Sequence, residues 1–513
     1  MYTRCCHGIS ACGGKLLNAV EIAAAVPLFI AIGGVASYLF ATLLSRQFRL
    51  WTGIFAALWL LYAFGLLLYA GSQGNTSSLS LISSGMNGFH LGVVIGLLAT
   101  GLGTVATLAS HGRINPDGPL QLYYPLFLFI LAGVTAVGFT RDLFTIFVVV
   151  ELSSIPSYTL VAYRWREEPR ALSSAMKYLF QGVTGTLAAL LGVSLLYLAG
   201  HTLSIPELPK ALESADPSLM ALAVTLLLIG YGVKLGIVPM HTWLPDTYVF
   251  APSGVTAILT GATKAGVLVA LFLSLSALPR GAIEGGFFGM MISILAVLTM
   301  TVGNLLALNQ KDLRRILAYS SVAQMGYILL GFGIGLQYSL IIGFEAGIFF
   351  AIAYGVMKAG AFLAADLLTV AAGSPEIQQM KGLGARFPVI GIAFTIFILG
   401  LIGVPATAGF LGKLLIFQSG MATATIGGVI LALILAGNSA LSLGYYVPLL
   451  SILLFGGHHE ADDPIRVRSA TMALSTTVSI VALALTTVYL GLFPHVLFEW
   501  ISHAAGQLFV WGV

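Results

Sequence analysis

The chain has 513 residues, of which 58% are hydrophobic, 8% are charged and 60 are glycine, and its mean hydropathy is +0.98. A soluble domain carries about 25% charged residues, so this composition excludes a water-soluble globular enzyme, a disordered chain and a nucleic-acid-binding protein. It is the composition of a polytopic membrane protein, and the net charge of +4 reflects loop residues rather than a nucleic-acid partner.

The first 12 residues hold all three cysteines, Cys5, Cys6 and Cys12, in the segment CCHGISAC. An adjacent pair with a single His lacks the regular spacing of a zinc site, so neither metal nor cofactor is expected there. The first apolar run is long enough to span and lacks a small-residue cleavage site, so no cleavable signal peptide is expected. At roughly 20 apolar residues per transmembrane helix, the chain has room for about 14 spans. The runs place them near 18–45, 50–70, 89–110, 119–139, 142–163, 174–199, 218–240, 253–277, 286–308, 314–334, 338–370, 387–418, 424–455 and 469–493. Runs such as LMALAVTLLLIGYGV (219–233) do not alternate as barrel strands would. Backbone groups in lipid must bond within their own segment, which makes the spans helical. Only GLFPHVLFEWISHAAGQLFVWGV follows the last span, and no long lateral helix is expected in it.

Lys and Arg in short loops mark the cytoplasmic side. Counted through alternate loops, thirteen fall on one side, among them Arg164, Arg166, Lys311, Arg314, Arg315 and Arg466, and five on the other, Arg4, Lys15, Arg141, Lys210 and Arg280. That asymmetry predicts both termini outside.

Of the 23 basic residues, Lys177, Lys234, Lys264, Lys358 and Lys413 remain, and each falls inside a predicted span. So do Glu151 in the fifth span, and Glu345 and Asp366 in the eleventh. An intramembrane charge costs about 2.5–3.5 kcal/mol on insertion scales and usually faces a bundle interior or a wet cavity. Such a set reads as a path for charge. Glu151, Lys234, Lys264 and Lys358 lie too deep to snorkel. Lys177 is readable either as part of the path or as a residue snorkelling to the cytoplasmic face, and Glu345 and Asp366 fall near the two ends of their span, where an interfacial role is expected.

Two predicted spans carry prolines beside these lysines. In YGVKLGIVPMHTWLP, Pro239 lacks an N–H and frees the carbonyl four residues back, next to Lys234. In LIGVPATAGFLGKLL, Pro405 with Gly403, Gly409 and Gly412 is expected to unwind the chain before Lys413. Paired broken spans are the sign of an inverted-repeat transporter. The tripeptides Arg141-Asp142-Leu143 and Lys311-Asp312-Leu313 open the fifth and tenth spans on opposite predicted sides. The expected organisation is therefore 1–118 with spans one to three, 119–277 and 286–455 as two inverted five-span repeats, and 456–513 with the last span and the C-terminus.

At these residues the sequence resembles the antiporter-like subunits shared by Mrp-type Na+/H+ antiporters, respiratory complex I and membrane-bound hydrogenases. VKLGIVPMHTWLPDTYVFAPSGVTAILTGATKAG (233–266) resembles the family's K-x-x-x-x-P-x-H-x-W-L-P-D-(A/S) signature and the Lys that follows it. NLLALNQKDLRRILAYSSVAQMGYILLG (304–331) resembles a second signature and GVPATAGFLGKLLIF (403–417) a third, within a likeness covering roughly 90–450. The resemblance implies that Glu151 pairs with Lys234, that Lys264 continues the path, that Lys358 in MKAGAFL is the eleventh-span lysine, and that Lys413 is the exit residue. Thr247 stands where Ala or Ser is usual, and Gln324 where some members carry histidine. Glutamine cannot titrate, so a proton step there would pass through water.

Desolvation favours a neutral amine and a nearby carboxylate favours the ammonium, so making or breaking the Glu151–Lys234 pair would switch whether Lys234 holds its proton. His241 could relay a proton near neutrality or simply hold a structural hydrogen bond. The resemblance implies a subunit that moves protons or Na+ in a multisubunit complex of a prokaryotic cell membrane, beside other membrane subunits, further antiporter-like subunits among them, and peripheral redox subunits. It would do no redox chemistry itself and hold no cofactor; the chain carries no Cys cluster for iron–sulfur and no nucleotide motif. A self-sufficient solute transporter and a structural subunit with inert buried pairs are the alternatives.

Overall fold

The structure is a computed structural model that describes residues 6–43, 51–74, 89–111, 114, 120–279, 286–455 and 474–508, with side chains from Ala19 onward apart from Gln507. Cys5 lies outside the described residues, as do the side chains of Cys6 and Cys12 and the loop residues Arg280 and Arg466.

The chain runs through α1 (Cys6–Leu43), α2 (Trp51–Gly74), α3 (Phe89–Ser110), α4 (Leu120–Val137), α5 (Leu143–Val161), α6 (Arg170–Gly200), α7 (Pro217–Leu235) and the short α8 (Leu244–Phe250). It continues through α9 (Ser253–Ser276), α10 (Phe287–Leu308), α11 (Leu313–Gln337), α12 (Ile341–Ala372), α13 (Pro388–Ile402), α14 (Ala408–Ala422), α15 (Ile426–Phe455), α16 (Leu474–Leu492) and α17 (His495–Leu508). Thirteen of these helices are long and apolar enough to cross a membrane. The chain is an integral, multi-pass, all-α membrane protein. A fourteenth crossing is counted if Ile377–Arg386 and Pro388–Ile402, bent by 116°, form one span.

Burial sorts the helices into a centre and a ring. The most apolar stretches of α9 and α12 are wholly buried and that of α11 is 94% buried, whereas those of α1, α15 and α16 are 33%, 28% and 33% buried. Lipid tails are as apolar as Leu, so close packing rather than the hydrophobic effect must hold such helices together, and small residues allow it. A Cβ on Gly303 would meet Ala323 N at 2.5 Å and one on Gly326 would meet Met300 N at 2.4 Å, so α10 and α11 touch backbone to backbone. Gly185 and Gly230 do the same for α6 and α7.

Two predicted spans end differently from expectation. α7 stops at Leu235, where Gly236 adopts φ 69° and its N–H and that of Ile237 close onto Val233 and Gly232. That is a glycine-terminated helix end, at the residue whose carbonyl Pro239, four residues on, leaves without a backbone donor. The predicted twelfth span is two helices of 15 residues, α13 and α14, joined by 403–407. Gly403 at φ 95° terminates α13, and the Thr407 hydroxyl caps α14 by accepting from Phe410 N. Gly409 and Gly412 do not unwind the chain: they lie inside α14, where a Cβ would strike Gly400 O and Phe350. The glycines at the break supply the left-handed turn, and the later ones supply close approach.

The two RDL-like tripeptides build the same device. Asp142 caps α5 by accepting from Thr145 N at 2.8 Å and forms an isolated bridge with Ser204; Asp312 caps α11 by accepting from Arg315 N at 3.0 Å and bridges Glu376. An N-cap carboxylate satisfies an orphan helix N–H and faces the positive end of the helix dipole.

Candidate functional site

Lys234 belongs to the last turn of α7 and is 8% exposed. Its Nζ donates to Glu151 Oε1 at 3.1 Å, to Tyr158 Oη at 3.5 Å and to Ser154 Oγ. Glu151, Ser154 and Tyr158 stand at i, i+3 and i+7 of α5, which is one face of a helix. The expected Glu151–Lys234 pair therefore forms, and two hydroxyls that sequence reasoning passed over complete the shell. Their spacing from Glu151 was the signal that could have found them. The break after α7 is stapled by Trp243, whose Nε1 donates to Val233 O at 2.8 Å and whose ring stacks on Tyr178 at 4.2 Å.

The other three deep lysines converge on α11. Lys264, at 2% exposure, follows a five-residue π-helical stretch (Leu259–Thr263) of α9 and donates to Ser321 O at 3.4 Å between the rings of Tyr248 and Tyr354, 5.7 and 5.8 Å away. Such a bulge re-aims the side chains beside it. Lys358 on α12 is fully buried and donates to Leu317 O at 2.8 Å and to Ser320 Oγ. Lys413 on α14 reaches back across the break to Leu401 O and Ile402 O, at 2.8 and 2.9 Å, and lies 4.6 Å over the Tyr327 ring. The last carbonyls of a helix have no internal partner and carry the negative end of its dipole, so the end of α13 holds a cation. Gln324 joins them: its Nε2 donates to the same Leu401 O at 3.0 Å, while its buried Oε1 has no hydrogen-bond partner among the described residues. These backbone acceptors could not be read from residue types.

The remaining candidates sit elsewhere. His241 lies half-buried in the segment between α7 and α8, its Nδ1 without a hydrogen-bond partner among the described residues. Lys177, on α6, is 54% exposed and donates to Asp246 Oδ2 at 2.7 Å; Asp246 Oδ1 accepts from Arg315 at 3.0 Å. That arrangement is a charge cluster at a helix end, distinct from the pairs that hold the four deep lysines. Thr247 needs no compensation, because its hydroxyl donates to Trp243 O at 2.9 Å. Glu345 is half-buried and accepts from Ser502 of α17 at 2.7 Å. Asp366, near the end of α12, is 2% exposed and ion-paired with Arg314, whose other nitrogen donates to Val249 O at 3.0 Å. A buried carboxylate is tolerated only with such a partner.

Among the described residues no cluster of three or more His, Cys, Asp or Glu side chains could hold a metal. The arrangement can hold, release and pass protons between buried amines, hydroxyls and one carboxylate.

A family model described as NADH:quinone oxidoreductase/Mrp antiporter, TM matches residues 140–439. NADH-quinone oxidoreductase subunit N 2 of Symbiobacterium thermophilum is 31% identical over 83% of this chain and 83% of that one. F(420)H(2) dehydrogenase subunit N of Methanosarcina mazei is 33% identical over 79% and 81%. A chain of respiratory complex I from Thermus thermophilus, solved with bound aureothin, is 27% identical and superposes with a TM-score of 0.71 over 92% of this chain and 98% of its own. With the matched segment enclosing Glu151 and all four deep lysines, this chain belongs to the NADH:quinone oxidoreductase/Mrp antiporter membrane-subunit family.

Proposed function

We propose that the chain is a proton- or sodium-translocating, antiporter-like subunit of a multisubunit energy-converting membrane complex in a prokaryotic cell membrane, with Glu151, Lys234, Lys264, Lys358 and Lys413 as one lateral path. Its partners are other membrane subunits, further antiporter-like ones among them, and peripheral redox subunits carry the chemistry. One observation carries the reading: four buried lysines are each held by hydroxyl or carbonyl oxygens, and three of them converge on α11. An inert packing pair needs no such convergence. The relatives are named as subunits of larger assemblies, which favours this reading over a self-sufficient solute transporter.

The two-repeat organisation, 119–277 and 286–455, with both termini outside, is part of the proposal. The Lys177–Asp246–Arg315 cluster ties the start of α6 to the start of α11, so Arg164 to Arg170 and Lys311 to Arg315 share an end of the bundle. The Asp142 cap, at the opposite end of α5 from Arg164, then faces away from the Asp312 cap. That opposition supports inverted halves.

The test is ion uptake by the reconstituted complex. Lys234→Ala leaves the half-buried Glu151 without its cation, and the pair can no longer be made and broken. Lys234→Ala and Lys413→Ala complexes are expected to assemble and to lose pumping. Wild-type pumping by both assembled variants would reduce these lysines to packing features.

A further inference from the structure

We propose that Phe362 is a gate between the buried acid Asp366 and Lys358, and that these residues form a proton inlet from the charge-rich end of the bundle. The proposal rests on the translocation reading and adds the residues that control access to it.

Lys358, Phe362 and Asp366 recur every four residues of α12 and so share one face. Eight residues of helix rise about 12 Å between the two Cα atoms, and Lys358 Nζ bonds to Leu317 O and Ser320 rather than to Asp366. Phe362 stands one helical turn from each. Its ring centroid is 5.9 Å from Lys358 Nζ, and the Tyr248 ring meets it edge-on at 5.7 Å while also facing Lys264 at 5.7 Å. Both aromatic residues are essentially inaccessible, at 2% and 1%. A phenyl ring supplies neither donor nor acceptor, so a proton crosses only when the ring moves and water enters.

Below the ring the setting changes. Asp366 lies six residues from the end of α12, and its partner Arg314 opens α11 beside the Arg315–Asp246–Lys177 cluster, of which Lys177 is exposed. The Arg314 side chain is 16% exposed against 3% for Asp366, so the pair stands just inside the surface with the acid on the inner side. A site serving packing alone would be at least as stable with apolar residues of the same volume. In the proposed step, Asp366 takes a proton from this end as its pair with Arg314 loosens. The protonated carboxyl gives that proton, through water admitted past Phe362, to the neutral amine of Lys358. Lys358 becomes an ammonium held by Leu317 O and Ser320, and the Asp366 carboxylate pairs again with Arg314. Return of the ring closes the way back.

The experiment measures passive proton influx into proteoliposomes holding the intact complex, under an imposed pH gradient with the membrane potential clamped. Phe362→Ala is expected to raise influx several-fold, Phe362→Leu to leave it near wild type, and Phe362→Ala with Asp366→Asn to return it towards wild type. Asp366→Glu in the Phe362→Ala background should keep the leak, because the carboxyl remains. Should Phe362→Ala not assemble, Phe362→Val opens the same interval in part and is expected to leak in part. Wild-type influx in an assembled Phe362→Ala or Phe362→Val complex overturns the gate. A leak undiminished by Asp366→Asn overturns the inlet. Pumping that survives Lys234→Ala would sink the translocation reading while leaving the leak pattern intact, so the two failures are separable.

Discussion

An ammonium has three donors and no acceptor, so a lysine inside a membrane bundle reveals its setting by what receives its protons. Lys413 has two helix-terminal carbonyls and an aromatic face, and Lys234 has a carboxylate and two hydroxyls. Lys264 is the least well held, with one carbonyl at 3.4 Å and two tyrosine rings. A buried charge without a carboxylate partner carries a desolvation cost on the order of several kcal/mol, which an apolar residue of like volume removes. Lys264→Met should therefore unfold at the same or a higher temperature than wild type in a detergent melt, yet show no ion uptake. A lower melting temperature would mean that the ammonium is a structural requirement. Ser154→Ala and Tyr158→Phe each remove an acceptor of the Lys234 ammonium, a hydrogen bond to a charged group worth about 1.5–3 kcal/mol, and should slow uptake without abolishing it. Loss as complete as in Lys234→Ala would give these hydroxyls a direct part in transfer.

At the scale of the element, the breaks depend on two glycines. Gly236 and Gly403 hold φ of 69° and 95°, where a Cβ is disfavoured by about 1–2 kcal/mol. A Cβ on Gly236 would also meet Leu244 Cδ1 at 2.5 Å, and one on Gly403 would meet Lys413 Cδ at 3.2 Å. Gly236→Ala and Gly403→Ala should lower the melting temperature of the complex, and the second should also displace Lys413 and slow uptake. Gly437 on α15 has open space around its Cβ position, and there the gain in helix propensity, about 1 kcal/mol, should leave stability unchanged or higher. Equal losses at all three positions would remove the argument from backbone conformation. Pro239 and Pro405 signalled where the chain breaks to within a few residues. They did not reveal that each helix ends earlier on a glycine, because either residue can end a helix and local sequence does not rank them.

For the molecule as a whole, the Asp246 cluster groups the starts of α6 and α11 on one end. In a chain whose three native cysteines are replaced, single cysteines at 164 and 311 should react from the cytoplasmic side, and one at 466 should follow them. Labelling of 164 and 311 from opposite sides would contradict both the charge count and the cluster. The chain should also purify with several membrane partners in mild detergent; a stable monomer with full ion uptake would favour the solute-transporter alternative.

Sequence alone determined the class, the placement of the apolar spans, the deep lysines, the two breaks and the family. Each of these is local: an apolar run of spanning length, a charge inside it, a glycine or proline beside the charge, a motif of a dozen residues. Tertiary structure alone decided what holds each charge. Lys234 meets Glu151 across 83 residues of chain, Lys264 meets Ser321 across 57, and Lys358 meets Leu317 across 41. It paired Asp366 with Arg314, tied Lys177 to Asp246, and brought three lysines onto one helix. Half of the four deep lysines' acceptors are backbone carbonyls, which every residue carries and no residue type announces; only the packing of α11 against α9 and α12, and of the α13 end against it, selects which of them face an ammonium.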